Sequence, residues 1–276
     1  TKRGRLELSF ELDPTGRTYV SNQFSSYPFH ICRPFYMDDG PCEGMATVYT
    51  QSCSGGLYTQ DKLTTVVNAG ENTKVHLTTQ ASTIVHQGIR GEARQSVELS
   101  AESGALLEYT PDPTILFPKS KLKSDISLRL APDASAILFD SFLAHDYRGN
   151  NDVFEYFENN VMIADLDGKP LAIDRFSILG TDFANTFVGQ MGQFNCHGNV
   201  IVVAPDIDQN DLICAAREAS SNLDDGICGI SMLPSQNGFS ARLLTTDAVS
   251  MNRLMGELWY VARVAMTGRR PDRRKK

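Results

Sequence analysis

The chain has 276 residues, 41% of them hydrophobic, and a formal charge of −7. That length allows one large β domain or two small ones around a sizeable core. The last eight residues hold six basic groups and one acid, a charge of +5, which leaves −12 on residues 1–268. An acidic body with its cations gathered at one end argues against nucleic acid, which calls for basic residues spread over a folded face, so 269–276 reads as a flexible basic tail suited to weak contact with an acidic protein surface. The strongest apolar run, Val200-Ile201-Val202-Val203-Ala204, falls far short of the ~20 residues that span a bilayer. No membrane role and a cytoplasmic location are therefore expected. Cys32, Cys42, Cys53, Cys196, Cys214 and Cys228 show no CxxC spacing and read as reduced thiols.

Leu6, Leu8, Phe10 and Leu12 alternate with polar neighbours and run into Asp13-Pro14-Thr15-Gly16, a strand entering a hairpin turn. Further strands are predicted at 46–49, 63–67, 74–85, 95–99, 106–109, 126–130, 137–139, 153–157, 161–164, 173–178, 200–204, 230–233 and 239–244. Turn signals such as Gly70-Glu71-Asn72, Asp167-Gly168 and Asn237-Gly238 separate them. Strands at this spacing argue for a sandwich, a barrel or a coiled β architecture, and no repeat of 20–50 residues is visible. Two helices break the pattern. One runs from Asp208 to about Ser220. The other runs from about Asp247 to Thr267, with Thr246 as N-cap, Gly268 as its stop, and a stripe of Met251, Leu254, Met255, Leu258, Trp259, Ala262 and Ala265. No linker separates strands from helices, so 1–268 is read as one domain.

Within 74–85, a period of two places Val75, Leu77, Thr79, Ala81, Thr83 and Val85 on one face and His76, Thr78, Gln80, Ser82, Ile84 and His86 on the other. This predicts a strand with a packed wall and a wet wall. The polar wall either faces solvent from an antiparallel sheet or lines a passage or partner surface. Asp61 follows a glycine pair and a turn, where a carboxylate caps backbone N–H groups. Arg33, held extended by Pro34, offers a guanidinium fork for a structural salt bridge or a partner's carboxylate. Glu108-Tyr109, ahead of Pro111-Asp112-Pro113, marks a strand that stops abruptly.

Several of these segments carry a family likeness. Gly55-Gly56-Leu57-Tyr58-Thr59-Gln60-Asp61-Lys62-Leu63, Gly70, the threonine run at 77–86, and Leu107-Glu108-Tyr109-Thr110-Pro111-Asp112-Pro113 resemble, in order and spacing, the urease accessory protein UreD family, also called UreH. His30-Ile31-Cys32-Arg33-Pro34-Phe35-Tyr36 is similar to the same family's Arg-Pro segment. Gln60 stands where the family usually has glycine, Ile84 where lysine is common and His86 where tyrosine is common, so a positive φ at residue 60 is not expected unless glutamine bears the strain. The resemblance implies a mainly β fold, coiled into a right-handed superhelix-like body with two helices. It also implies a non-enzymatic maturation factor that docks on urease apoprotein, binds a UreF-like protein and through it a UreG-like GTPase, and supports nickel delivery. On this reading the partner or conduit residues are Arg33, Asp61, Thr78, Thr79, Gln80, Ser82, Thr83, His86, Glu108, Tyr109 and Asp112.

No tightly bound cofactor is expected, and transient nickel contacts fall to His76, His86, Cys196 and His197. His76 and His86 lie about 33 Å apart along a straight strand at ~3.3 Å per residue, too far to share an ion. Cys196 and His197, adjacent on a strand, point to opposite faces. Weak, scattered oxygen donors suit an ion in transit better than a closed cage does. The sequence carries no G-x-S-x-G, P-loop, dinucleotide or H-E-x-x-H motif. The alternatives are a hydrolase or lyase on a coiled β scaffold using acids such as Asp140 and Asp174, or a β-sandwich module that binds carbohydrate or peptide.

Overall fold

The computed structural model describes residues 1–88, 90–187, 189–221 and 225–272, so positions 273–276 of the basic tail lie outside the described residues. The first half of the chain runs β1 (Arg3–Leu12), β2 (Thr18–Ser25), β3 (Phe29–Ile31), β4 (Ala46–Ser52), β5 (Lys62–Ala69), β6 (Lys74–Thr79), β7 (Thr83–Val85), β8 (Ala93–Ala101), β9 (Leu106–Thr110), β10 (Thr114–Leu116) and β11 (Lys121–Leu130). The second half runs β12 (Ser135–Ala144), β13 (Tyr156–Asp165), β14 (Pro170–Leu179), α1 (Gly180–Phe183), β15 (Cys196–Val203), α2 (Gln209–Ala219), β16 (Gly226–Met232), β17 (Gly238–Thr245) and α3 (Ala248–Thr267).

From β4 to β13 the chain alternates between two facing sheets, and strands of successive coils stack in parallel. In one sheet Ala46, Val75, Leu107 and Ala136 are register partners. In the other, Leu8, Val67, Leu99, Leu128 and Ile163 form the matching column. Both columns are buried in one core between the sheets. The coil repeats every 29–35 residues in these registers while the residue types change, because burial constrains only every second position to be apolar. That explains a β-solenoid-like body without a legible sequence repeat. At the far end the winding gives way to antiparallel strands β14, β15, β16 and β17.

Several elements differ from the sequence expectation. The strand predicted at 74–85 is two strands, β6 and β7, separated at Gln80–Ser82. β6 pairs in parallel on both sides, which removes the antiparallel alternative. The strands predicted at 153–157 and 161–164 are largely one, β13, and β2, β3, β10 and the single turn α1 were not anticipated. The long helix is capped by Asp247, one residue beyond the expected Thr246, with its carboxylate accepting the Ser250 N–H at 2.8 Å. Gly268, at φ 71°, closes it as expected. Asp208 caps α2 through the Asn210 and Asp211 N–H groups.

α2 and α3 pack Leu212, Ile213, Ala216, Met251, Leu254, Met255, Leu258 and Trp259 against Ile137, Val200, Val202, Ala241 and Leu243. This covers the outer face of the β6–β9–β12–β15 sheet, so that sheet is buried on both sides. The chain does not leave the body at Gly268. Arg269 pairs with Asp39 at 2.7 Å, Pro271 is buried and the Asp272 N–H donates to Asp38.

Candidate functional site

Side chains alternate across each strand, so neighbours in the threonine run and in Glu108-Tyr109 part company. His76, Thr78, Glu108 and Thr110 lie on the outer face, under α3; Leu77, Thr79 and Tyr109 face the space between the sheets. The wet wall expected from His76 and Thr78 is therefore sealed, both residues being at most 2% exposed. Thr78 Oγ1 donates to the Thr110 carbonyl at 2.6 Å. His76 Nδ1 lies 2.7 Å from Glu108 Oε2, and Arg263 grips Glu108 bidentately, Nε to Oε1 at 2.6 Å and Nη2 to Oε2 at 2.5 Å. Burial pushes the Glu108 carboxyl upward, but Arg263 and the His76 hydrogen bond outweigh it and hold it down at about 2. Arg263 also reaches Asp38 at 3.4 Å, and Trp259 tilts over the His76 ring. This group fastens α3 to the sheet. His76 is thereby unavailable to an ion in transit.

The rest of the threonine run has a different surrounding. Thr79, Gln80, Ser82, Thr83 and Tyr109 line a cavity of about 260 Å³ together with Thr50, Gln51, Ser54, Thr65 and Gln95. Hydroxyls and amides thus share the lining of this cavity with apolar Phe29, Leu57, Leu63, Leu77 and Ile84. Thr79 Oγ1 also accepts the Asp112 N–H at 2.8 Å, fixing the loop after β9.

Inward from Gln95 a polar row crosses the apolar core. Gln95, Ser124 and Asn159 are successive register partners in β8, β11 and β13. Ser124 is 5% and Asn159 1% exposed. Asn159 Nδ2 crosses to the facing sheet and donates to Asp140 Oδ2 at 2.5 Å. Asp140 pairs in register with Asn199 and Asn199 with Arg242. Asn199 Nδ2 donates to Asp174 Oδ2 at 2.9 Å, and Arg242 forms a salt bridge with Asp174. Asp174, Ser240 and Arg242 line a second cavity of about 170 Å³ at the far end. The seam runs from one cavity to the other through Ser124, Asn159, Asp140 and Asn199.

Asp140 lies between the sheets and is partly buried. Burial, with a smaller push from Asp174 and against the Asn159 amide, raises its carboxyl to about 7. The two acids considered for a hydrolase do meet here, but amides and a guanidinium hold them, and neither lines the larger cavity.

The remaining candidates separate. Asp61 caps the chain as expected, Oδ1 accepting the Lys2 N–H at 2.6 Å and Oδ2 the Tyr58 N–H at 2.8 Å, with Lys2 Nζ at 3.1 Å. Burial opposes this set, which nevertheless lowers the Asp61 carboxyl. Gln60 does bear a positive φ, 68°. His86 stacks on Tyr58, its Nε2 2.6 Å from the Gly55 carbonyl oxygen, at the cavity's rim residues and away from His76. Cys196 joins the helix-side core while His197 turns inward between Phe142 and Phe176. Burial raises the Cys196 thiol to about 11 and lowers the His197 imidazole to about 4. Arg33 is exposed and makes no hydrogen bond or ion pair among the described residues, which removes the structural salt bridge.

Sequence reasoning missed Ser124, Asn159, Asn199 and Arg263. The available signal was a polar residue at an inward position of an apolar alternation, as in Leu122-x-Ser124-x-Ile126 and Phe157-x-Asn159-x-Val161. Arg263 follows Trp259 by one helical turn and so lies on the buried stripe.

A family model described as UreD urease accessory protein matches residues 2–276. The chain is 37% identical to Urease accessory protein UreD 1 of Pseudomonas syringae pv. syringae over 276 residues, covering 100% of this chain and 96% of that protein. It is 36% identical to Urease accessory protein UreD 1 of Pseudomonas syringae pv. tomato, with the same coverage. It is 31% identical to Urease accessory protein UreD of Haloarcula marismortui, over 96% of this chain and 87% of that one.

Proposed function

This chain belongs to the UreD urease accessory protein family, and from that premise we propose that it is a non-catalytic scaffold that docks on urease apoprotein and gives nickel a protected route toward the nascent active site. A UreF-like protein binds it, and a UreG-like GTPase joins through that partner and supplies the energy. The observation that carries the reading is the row of polar side chains between the sheets, which links the cavity lined by Thr79, Gln80, Ser82, Thr83 and Gln95 to the cavity lined by Asp174 and Arg242. Oxygen and amide groups spaced one coil apart replace part of a hydrated ion's shell without trapping it. Exposed Arg33, with its guanidinium uncommitted within the chain, is suited to a carboxylate on a partner.

The test is expression of urease with a UreF-like and a UreG-like protein, with and without this chain, followed by nickel content and urease activity of the purified enzyme. Nickel-poor, inactive urease in its absence, and recovery of all four components in one complex in its presence, support the reading. Full nickel loading without it overturns the reading.

A further inference from the structure

We infer that the outer face of the seven-stranded sheet carries a docking strip for an acidic helix of a partner protein. The strip lies outside the space between the sheets, so its role stands apart from nickel transport.

Arg3, Lys62, Arg94 and Lys123 are successive register partners in β1, β5, β8 and β11. Their neighbours Gly4, Leu63, Ala93 and Leu122 are buried, so alternation turns all four cations outward. Like charges set directly opposite on neighbouring strands destabilise a sheet. Here four stand in line in a chain with 33 acids against 26 lysines and arginines, a composition that favours mixed neighbours. An anion laid along the line offsets the repulsion.

The chain itself neutralises only one end of the line. Glu92 pairs with Arg94 at 2.7 Å and with Lys123 at 4.0 Å, and Glu158 pairs with Lys123 at 3.1 Å. Arg3 and Lys62 are exposed and form no ion pair or side-chain hydrogen bond among the described residues. The backbone of Tyr27 passes beside Gly4, next to Arg3, and Tyr27 is 63% exposed, which places an aromatic anchor at the open end.

Spacing selects the shape of the occupant. Adjacent strands lie about 4.8 Å apart, so the four cations span roughly 14 Å. One helical turn rises about 5.4 Å, so carboxylates on successive turns of a helix laid across the strands meet successive cations. Same-side residues of an extended segment recur about every 6.8 Å and fall out of step. The strip is also narrow. Asp125 stands two residues beyond Lys123, about 7 Å along the strand, and Glu7 and Glu98 flank Val66 in the next outward line. A nucleic-acid backbone or a lipid surface, being broader, would meet those carboxylates, whereas a single helix of about 10 Å diameter fits between them.

The experiment uses the full chain and a fluorescein-labelled, alanine-based helical peptide with glutamate at every i, i+4 position, its binding read by fluorescence anisotropy at low salt. The double variant Arg3→Glu, Lys62→Glu is compared with Arg129→Glu, Arg175→Glu, which makes the same change in net charge at exposed positions of the same sheet outside the strip. Circular dichroism establishes folding. Arg3→Ala, Lys62→Ala, which removes the cations without adding acids, is expected to weaken binding in the same direction by a smaller factor. The expected result is a Kd raised at least about tenfold in Arg3→Glu, Lys62→Glu and less than about twofold in the control pair. The same peptide with lysine in place of glutamate should bind Arg3→Glu, Lys62→Glu better than the wild type. Equal weakening in both glutamate pairs, unchanged binding in a folded Arg3→Ala, Lys62→Ala chain, or no binding of the glutamate peptide to the wild type overturns the strip. Tighter binding of single-stranded DNA or of phosphatidylserine vesicles than of the peptide, lost in Arg3→Glu, Lys62→Glu, overturns the acidic helix as its occupant.

Discussion

Replacing Arg263 with methionine removes the guanidinium that neutralises Glu108 while keeping a long side chain in the contact between α3 and the sheet. Both groups are at most 1% exposed, so the orphaned carboxylate cannot turn to solvent. Breaking a buried pair by removing one partner costs about 3–5 kcal/mol. Linkage gives the same scale: a carboxyl lowered from 4.5 to about 2 corresponds to about 3 kcal/mol at roughly 1.4 kcal/mol per unit. Because the folded-state value is depressed, this stability is present above the unfolded value and lost as pH falls through the folded one, between about 4.5 and 2. Urea unfolding at pH 7 is expected to show Arg263→Met destabilised by about 3–5 kcal/mol, with the double variant Arg263→Met, Glu108→Leu recovering much of the loss. In Arg263→Met only the His76 hydrogen bond is left to oppose burial at Glu108, so its value rises above the wild type's and the deficit should shrink below pH 4.5. A loss under about 1 kcal/mol at pH 7, the range of an exposed pair, would show that the clamp is not what holds the helix.

Three further outcomes follow from single sites. Gln60→Gly relieves a left-handed backbone and should raise unfolding stability by about 0.5–1 kcal/mol, since the strain exceeds the entropy added to the unfolded chain; a loss on urea unfolding would contradict this. Asp247→Ala removes the α3 cap and should destabilise the start of the helix, with helical circular dichroism reporting fraying. For Asp140 the folded-state value is raised to about 7, so its stabilising effect is complete below the unfolded value near 3.8 and is lost as pH rises toward 7. Asp140→Asn should therefore flatten the wild type's decline in melting temperature over that interval, measured without divalent ions.

What was legible before the fold was known follows from periodicity. Inward apolar positions such as Leu122, Ile126 and Leu128 repeat every two residues and mark strands, and the stripe from Met251 to Ala265 marks a helix. Local alternation does not say which face of a strand meets water. That is why His76 and Thr78 read as wet when α3, some 180 residues later, covers them. Parallel stacking was also invisible, since the columns through Ala46, Val75, Leu107 and Ala136 share only small or apolar character. Thr79, Gln80, Ser82 and Thr83, which line the first cavity, stand in a polar run visible locally, although alternation had set Thr79 and Thr83 on the packed face; Asn159 and Asp140 meet only across the two sheets.

The most direct test of the route fills it. Ser124→Leu places a bulky apolar side chain in the inner polar row, and Ser124→Ala serves as an open control. Each is expressed with urease and its UreF-like and UreG-like partners, the intact complex is recovered, and nickel per urease active site is counted by elemental analysis. The account predicts nickel near the level obtained without this chain for Ser124→Leu and near the wild-type level for Ser124→Ala. Full nickel loading through a folded, complex-forming Ser124→Leu chain would contradict it.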